Sequence, residues 1–183
     1  MTTPPRTAPT STTADDGART EPSGVAGERE MLEGWLEYHR RTLAMKCEGL
    51  EDSQLRETSA PPSGLSLLGL VRHMAEVERG WFSRTLAGED AEPIYYTDED
   101  PDGDFHPSPD DTWDEARTTW QAEIARAREL AAPVALDDLA VGRSRSGEGY
   151  SLRWIYTHMI EEYARHNGHA DLLRERVDGA TGD

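Results

Sequence analysis

GLSLLGLVRHMAEVERGWF at residues 64–82 and SLRWIYTHMIEEYARHNGHADLLRE at residues 151–175 decide the fold of this chain. In the first stretch Leu67, Leu70, Val71, Met74, Val77, Trp81 and Phe82 recur at helical spacing and make one apolar stripe. In the second, Ile155, Met159, Tyr163, Ala170 and Leu173 do the same. Each opens on a residue suited to capping a helix: Ser63 or Ser66 after the stop at Pro61 and Pro62, and Ser151. Aligned without gaps, residues 66–76 and 151–161 share Ser, Leu, His, Met and Glu, five identities in eleven. Duplication explains the echo, and so does the small number of ways to begin an amphipathic helix. Either way it predicts that His73 and His158 stand seven residues beyond their caps, near the edges of the two stripes.

Two further helices flank this pair. Residues 29–48 carry Leu32, Trp35, Leu36, His39 and Leu43 on one face, with Gly49 to end them. The helix over about residues 110–131 begins with Ser108, Pro109, Asp110 and Asp111, which read as a cap, a first-turn proline and first-turn acids. Trp113, Trp120, Ile124 and Ala127 form its apolar face, and Pro133 lies just beyond. Gly88 suits the end of the second helix, over 66–87, and the fourth runs over 151–176. Residues 132–150 hold four glycines or prolines and only short β-capable pieces. With no strand alternation of useful length, the pattern predicts an all-α four-helix bundle with a long second crossover. Such burial can supply ordinary marginal stability without a structural metal. The expected organisation is a disordered tail over 1–28, a bundle over 29–177 that includes an acidic crossover at 89–115, and a short tail over 178–183.

The 183 residues carry 36 Asp and Glu against 19 Lys and Arg, for a net charge of -17. Twelve of the acids, and no Lys or Arg, fall in residues 89–115, so the helices themselves are nearly balanced. This sign argues against nucleic acid or an anionic membrane as a partner. DEDPDGD at 98–104 lacks the spacing and terminal glutamate of an EF-hand, while Tyr95, Tyr96 and Phe105 predict that the crossover packs back on the bundle. Cys47 is the only cysteine, which excludes an intrachain disulfide and a four-thiolate metal site, and it reads as a buried or incidental thiol. No apolar run reaches the roughly 18 residues of a membrane span, and residues 1–28 lack an apolar signal core. A soluble cytoplasmic protein is expected.

HMIEEYARHNGH at 158–169 carries the chemistry. Glu162 and His166 stand one turn apart, about 40° around the helix, so their side chains can converge on one ion. Both lie in or beside the buried stripe, where an unpaired charge is costly. A third ligand from another helix would complete the set, and His73 is the best donor, giving a His73, Glu162, His166 site with open positions for water. The competing reading is a solvated or locally paired Glu-x-x-x-His couple with His73 as a satisfied edge histidine. His158 and His169 lie nearer the stripe edge, Glu161 points to solvent, His39 suits hydrogen bonding or cavity lining, and His106 sits exposed in the acidic crossover. Glu78 falls within an apolar stripe, where it either orients an imidazole or pairs with an arginine.

The two quoted stretches resemble the DinB-like superfamily of metal-binding four-helix proteins, in particular its actinobacterial mini-circle-protein-like branch, over about residues 30–177. The resemblance implies an up-down-down-up bundle with a divalent metal at one end. The family's first metal histidine falls on His73 and its two fourth-helix ligands on Glu162 and His166. Many relatives have histidine at the first of these two positions, and the glutamate here is similar to that of mycothiol-dependent isomerase relatives. Zinc is the first expectation and nickel the alternative. The implied function is an S-transferase that joins a low-molecular-weight, mycothiol-like thiol to a small electrophile. No side chain is assigned as a catalytic group. The alternatives are a non-catalytic metal-binding bundle, and a metal-dependent hydrolase with Glu78 as its only candidate base. Arg72, Arg79, Arg165 and Arg174 are candidate anion contacts, and Tyr163 and Trp154 candidate pocket walls. Trp35, Trp81 and Trp120 leave a homodimer open.

Overall fold

Serine and threonine caps set where the helices begin. In the computed structural model, which describes residues 19–143 and 147–182, Ser66 Oγ accepts from the Gly69 N–H at 3.1 Å to start α3, Leu67–Glu78. Ser151 Oγ accepts from the Trp154 N–H at 3.2 Å to start α5, Leu152–Asp178. Both echoed serines therefore do the same local work, satisfying one amide that the helix cannot. Helix α5 ends at Gly179, whose φ of 79° is the left-handed conformation that glycine adopts freely. The first helix, α1, spans Glu28–Cys47, and a four-residue turn of helix, α2, spans Asp52–Leu55.

The third amphipathic segment, α4, spans Trp113–Ala131 and starts later than expected. Its cap is Thr112, which accepts from the Glu115 N–H, and not Ser108. The reason is local. Asp111 accepts from the Ser108 N–H at 2.6 Å and also holds the Arg72 guanidinium, so residues 108–111 are tied in a turn against α3. Two other elements escaped periodicity. Residues Arg79–Leu86 continue α3 as a π-helix, and Leu139–Arg143 (β1) pairs antiparallel with Gly149–Ser151 (β2) in a small hairpin before α5.

The four long helices form the expected bundle. Helix α1 packs along α5, α3 packs along α4, and α3 also meets α5. Leu36 and Leu43, Leu70 and Met74, Trp120 and Ile124, and Ile155 and Met159 meet in one core. Trp120 is fully buried there, so it is withdrawn from any intermolecular face, while Trp35 and Trp81 are half-buried. Residues 1–18, most of the expected N-terminal tail, lie outside the described residues. From residue 19 the chain runs back against α1, with the Arg19 guanidinium over the Tyr38 ring at 4.6 Å.

One buried polar chain crosses all four helices. Trp120 Nε1–H donates to Tyr163 Oη at 2.8 Å, and the Tyr163 hydroxyl donates to Glu78 Oε1 at 2.7 Å. Arg40 grips both Glu78 oxygens, at 2.8 and 2.7 Å, and reaches Glu37 at 2.6 Å. Burial and the Glu78 carboxylate push the Tyr163 phenol well above its ordinary pKa, so it stays a donor. Of the two readings of Glu78, the arginine pair is the observed one. The carboxylate is wholly enclosed and fully hydrogen-bonded, which removes the candidate base of the hydrolase reading.

Candidate metal centre

His73, Glu162 and His166 come together. One ligand atom from each lies within 4.8 Å of the others. Helix α3 supplies His73 seven residues after the Ser66 cap, and α5 supplies the other two from successive turns. His166 Nε2 and Glu162 Oε2 are 3.6 Å apart, and the rings of His73 and His166 are 4.7 Å apart. Two donors about 2.1 Å from a shared tetrahedral ion stand about 3.4 Å from each other, so the spacing suits a small divalent cation.

The protonation states suit it too. Burial, followed by the nearby His73 and His169 rings, pushes the His166 imidazole down to about 4. It is neutral at pH 7, with a lone pair to give. His169 Nδ1 meets His166 Nδ1 at 3.4 Å, which leaves His166 Nε2 facing Glu162. The other Glu162 oxygen faces His158 Nε2 at 3.5 Å, so the carboxylate is flanked by an imidazole on each side.

The acidic crossover supplies what the sequence reading did not identify. Gly103–Phe105 forms a single 3-10 turn that sits on α3, and there Asp104 Oδ2 meets His73 Nδ1 at 2.7 Å. With Nδ1–H donating to Asp104, His73 Nε2 is the nitrogen left free. A carboxylate behind a ligating histidine fixes its ring and raises its basicity. Phe105 stacks on the same ring, with centroids 4.3 Å apart and planes 23° from parallel.

Several contacts press this turn into place. Arg72 donates to the Gly103 carbonyl at 2.9 Å, pairs with Asp111 and lies 4.4 Å over the Tyr95 ring. Glu76 Oε1 accepts from the Ile94 and Tyr95 amides, each at 2.6 Å. Close approach needs glycine at two points. A Cβ on Gly103 would stand 2.7 Å from the Tyr95 carbonyl, and one on Gly69 would stand 3.0 Å from the Phe105 carbonyl. The expectation that the crossover packs back through its aromatic residues is thus met, and Asp104 is the residue it delivers. Composition could not single out one acid among twelve.

The remaining candidates are placed as follows. Arg79 pairs with Glu123, Arg165 with Glu161, and Arg174 with Asp178 and the carbonyls of Lys46 and Glu48. With Arg72 tied to Asp111, all four arginines proposed as anion contacts have partners within the chain. Asn167 donates to the His39 carbonyl at 3.0 Å and lies against its ring, so His39 is a hydrogen-bonded residue of α1. His106 is exposed and paired with Asp100 at 2.9 Å. Cys47 is buried, and burial pushes its thiol up to about 12.

Residues 31–179 match the family profile described as Mycothiol-S-transferase. The chain belongs to that family. The match covers most of the bundle and all three clustered side chains. Among solved structures, a conserved protein from Enterococcus faecalis shares the fold with a TM-score of 0.57 at 16% identity, over 84% of this chain and 96% of that one. No curated protein matches the chain. No helix among the described residues is long and apolar enough to cross a membrane. Family membership and a His/Glu cluster able to coordinate a divalent metal together support a metal-associated, transferase-like protein in general terms.

Proposed function

We propose that this protein is a metal-dependent S-transferase that joins a low-molecular-weight, mycothiol-like thiol to a small electrophile. The observation that carries the reading is the convergence of His73, Glu162 and His166 inside a chain of this family. The three residues would hold the ion. Zinc is the metal proposed, with nickel second, because two imidazoles and one carboxylate suit both. When bound, the ion would supply positive charge that lowers the pKa of a thiol occupying its open position.

The chain's own residues have three tasks. His166 is held neutral and ready to ligate, and His73 is oriented by Asp104. Glu162 would be the single carboxylate among the three residues that hold the ion. Phe105 stacks on the His73 ring and covers one of its faces. The thiolate sulfur then forms a bond to the electrophilic carbon, the leaving group departs with its electron pair, and the thiol proton passes to solvent. Proximity and charge do the work, with no nucleophile from the protein. Cys47 is enclosed and its thiol is strongly protonated, in keeping with that division. The products would leave a soluble cytoplasmic enzyme that needs neither nucleic acid nor membrane as partner.

The test is an adduct-formation assay with mycothiol and an electrophilic acceptor, run on metal-loaded and chelator-stripped protein. Adduct formed only by the loaded protein supports the proposal. Equal rates with and without metal would reject it, leaving a metal-binding bundle as the second reading.

A further inference from the structure

Beside the metal cluster lies a group of rings that the chemistry above does not use. Trp154, His158, Glu162 and His166 stand four residues apart on α5 and follow one side of the helix. Exposure rises along this row, from buried His166 through half-buried Glu162 and His158 to Trp154, which is 44% exposed. The cluster therefore opens towards the amino end of α5. There the Trp154 ring stacks on His158 with centroids 5.0 Å apart and planes 15° from parallel. Trp81, from the π-helical continuation of α3, stands edge-on to His158 at 4.5 Å, and Tyr150 of β2 lies 4.6 Å from Trp154. Three elements thus converge to build one aromatic shelf.

We infer that this shelf, Trp81, Tyr150, Trp154 and His158, is the acceptor subsite and binds the flat face of an uncharged aromatic electrophile. The inference rests on the transferase reading and names the substrate class for the same site. Its first argument is position. Four residues of α-helix rise about 6 Å, so His158 lies about one turn and Trp154 about two turns from Glu162. A ring seated against His158 and the near edge of Trp154 would stand about one turn from Glu162, close enough for a benzylic reacting carbon to face the open side of the cluster. Its second argument is the surface itself. A half-exposed indole already held by three neighbouring rings offers a rigid face with little side-chain entropy to lose, and ring stacking adds attraction beyond area alone. Its third argument is charge. Glu161 and Glu162 border His158, with its Nδ1 4.0 Å from Glu161 and its Nε2 3.5 Å from Glu162, and these carboxylates disfavour an anionic ring.

The test is a saturation-transfer titration of the full-length, zinc-loaded protein with para-nitrobenzyl alcohol, cyclohexylmethanol and methyl glucoside. The aromatic alcohol is expected to bind most tightly. Trp154→Leu should weaken it about threefold to tenfold, while Trp154→Phe should stay within about twofold. Trp35→Leu, in a half-buried tryptophan of α1, should leave binding unchanged. Melting temperature and zinc content are read in parallel, and W154F preserves the comparison if W154L is poorly folded. Equal affinity in wild type and W154L overturns the inference, as does equal or tighter binding of cyclohexylmethanol. Tighter binding of the glucoside also overturns it, because the shelf would then serve a sugar ring of the thiol. None of these readouts needs thiol or turnover, so failure of the shelf is distinguishable from failure of metal-dependent transfer.

Discussion

Replacing Asp104 tests whether the acidic crossover belongs to the metal centre. Its carboxylate meets His73 Nδ1 at 2.7 Å in a turn where Asp104 itself is buried. Loss of such a partner behind a metal-ligating histidine weakens metal binding by about 10-fold to 100-fold, or about 1.4–2.8 kcal/mol. Asp104→Asn keeps one oxygen that can accept from His73 but removes the charge and replaces the oxygen that accepts from the Phe105 N–H, so it belongs near the lower end. Asp104→Ala removes the acceptor as well and belongs near the upper end. The assay is a zinc titration against a chromophoric chelator at pH 7.5. Asp100→Asn is the control, because it changes net charge equally in the same crossover while its carboxylate is hydrogen-bonded to exposed His106 and not to His73. The expected order of zinc affinity is wild type equal to D100N, then D104N, then D104A. Wild-type affinity in D104A would refute the reasoning, and an equal loss in D100N would reassign the effect to overall charge.

Three other perturbations have definite outcomes. Tyr163→Phe removes the donor to Glu78 and the acceptor of Trp120, and should cost about 1–3 kcal/mol in urea unfolding, whereas Glu78→Gln leaves buried Arg40 without its full counter-charge and should cost about 3–5 kcal/mol; a smaller loss in E78Q than in Y163F would contradict this order. Cys47 should react with a disulfide reagent at pH 8 only after denaturation, because burial holds its pKa near about 12, and rapid labelling of the native protein would place the thiol elsewhere. Metal-free protein should lose stability as pH falls from about 6.5 towards 4, since the unfolded His166 binds a proton across that window and the folded one does not. The full difference of roughly 2.5 pK units corresponds to about 3 kcal/mol, and His166→Gln should flatten that part of the pH profile; an unchanged profile in the variant would remove His166 as its source.

Much of the bundle was legible because its signals are local. Leu70, Met74, Ile155 and Met159 repeat at helical spacing and are wholly buried, and Ser66 and Ser151 cap the helices they precede. The His73, Glu162 and His166 cluster was legible for a related reason: two of its members are one turn apart, and the third stands at a fixed distance from a cap. What escaped depends on contacts distant in sequence. Thr112 displaced Ser108 as a cap because Asp111 is drawn to Arg72, 39 residues earlier. Glu78 looked like either an imidazole partner or a base until Arg40 and Tyr163 enclosed it. Asp104 is one acid in a run of acids, and only the folded crossover, held by Arg72 and Glu76, distinguishes it.

The most direct measurement is the metal content of the untagged protein, purified without chelator, beside His73→Ala, Glu162→Ala and His166→Ala. With one three-ligand site, wild type should carry a single divalent ion per chain, predominantly zinc, and each variant should lose most of it while keeping the helical content of the bundle. Equal occupancy in all four proteins would contradict the account.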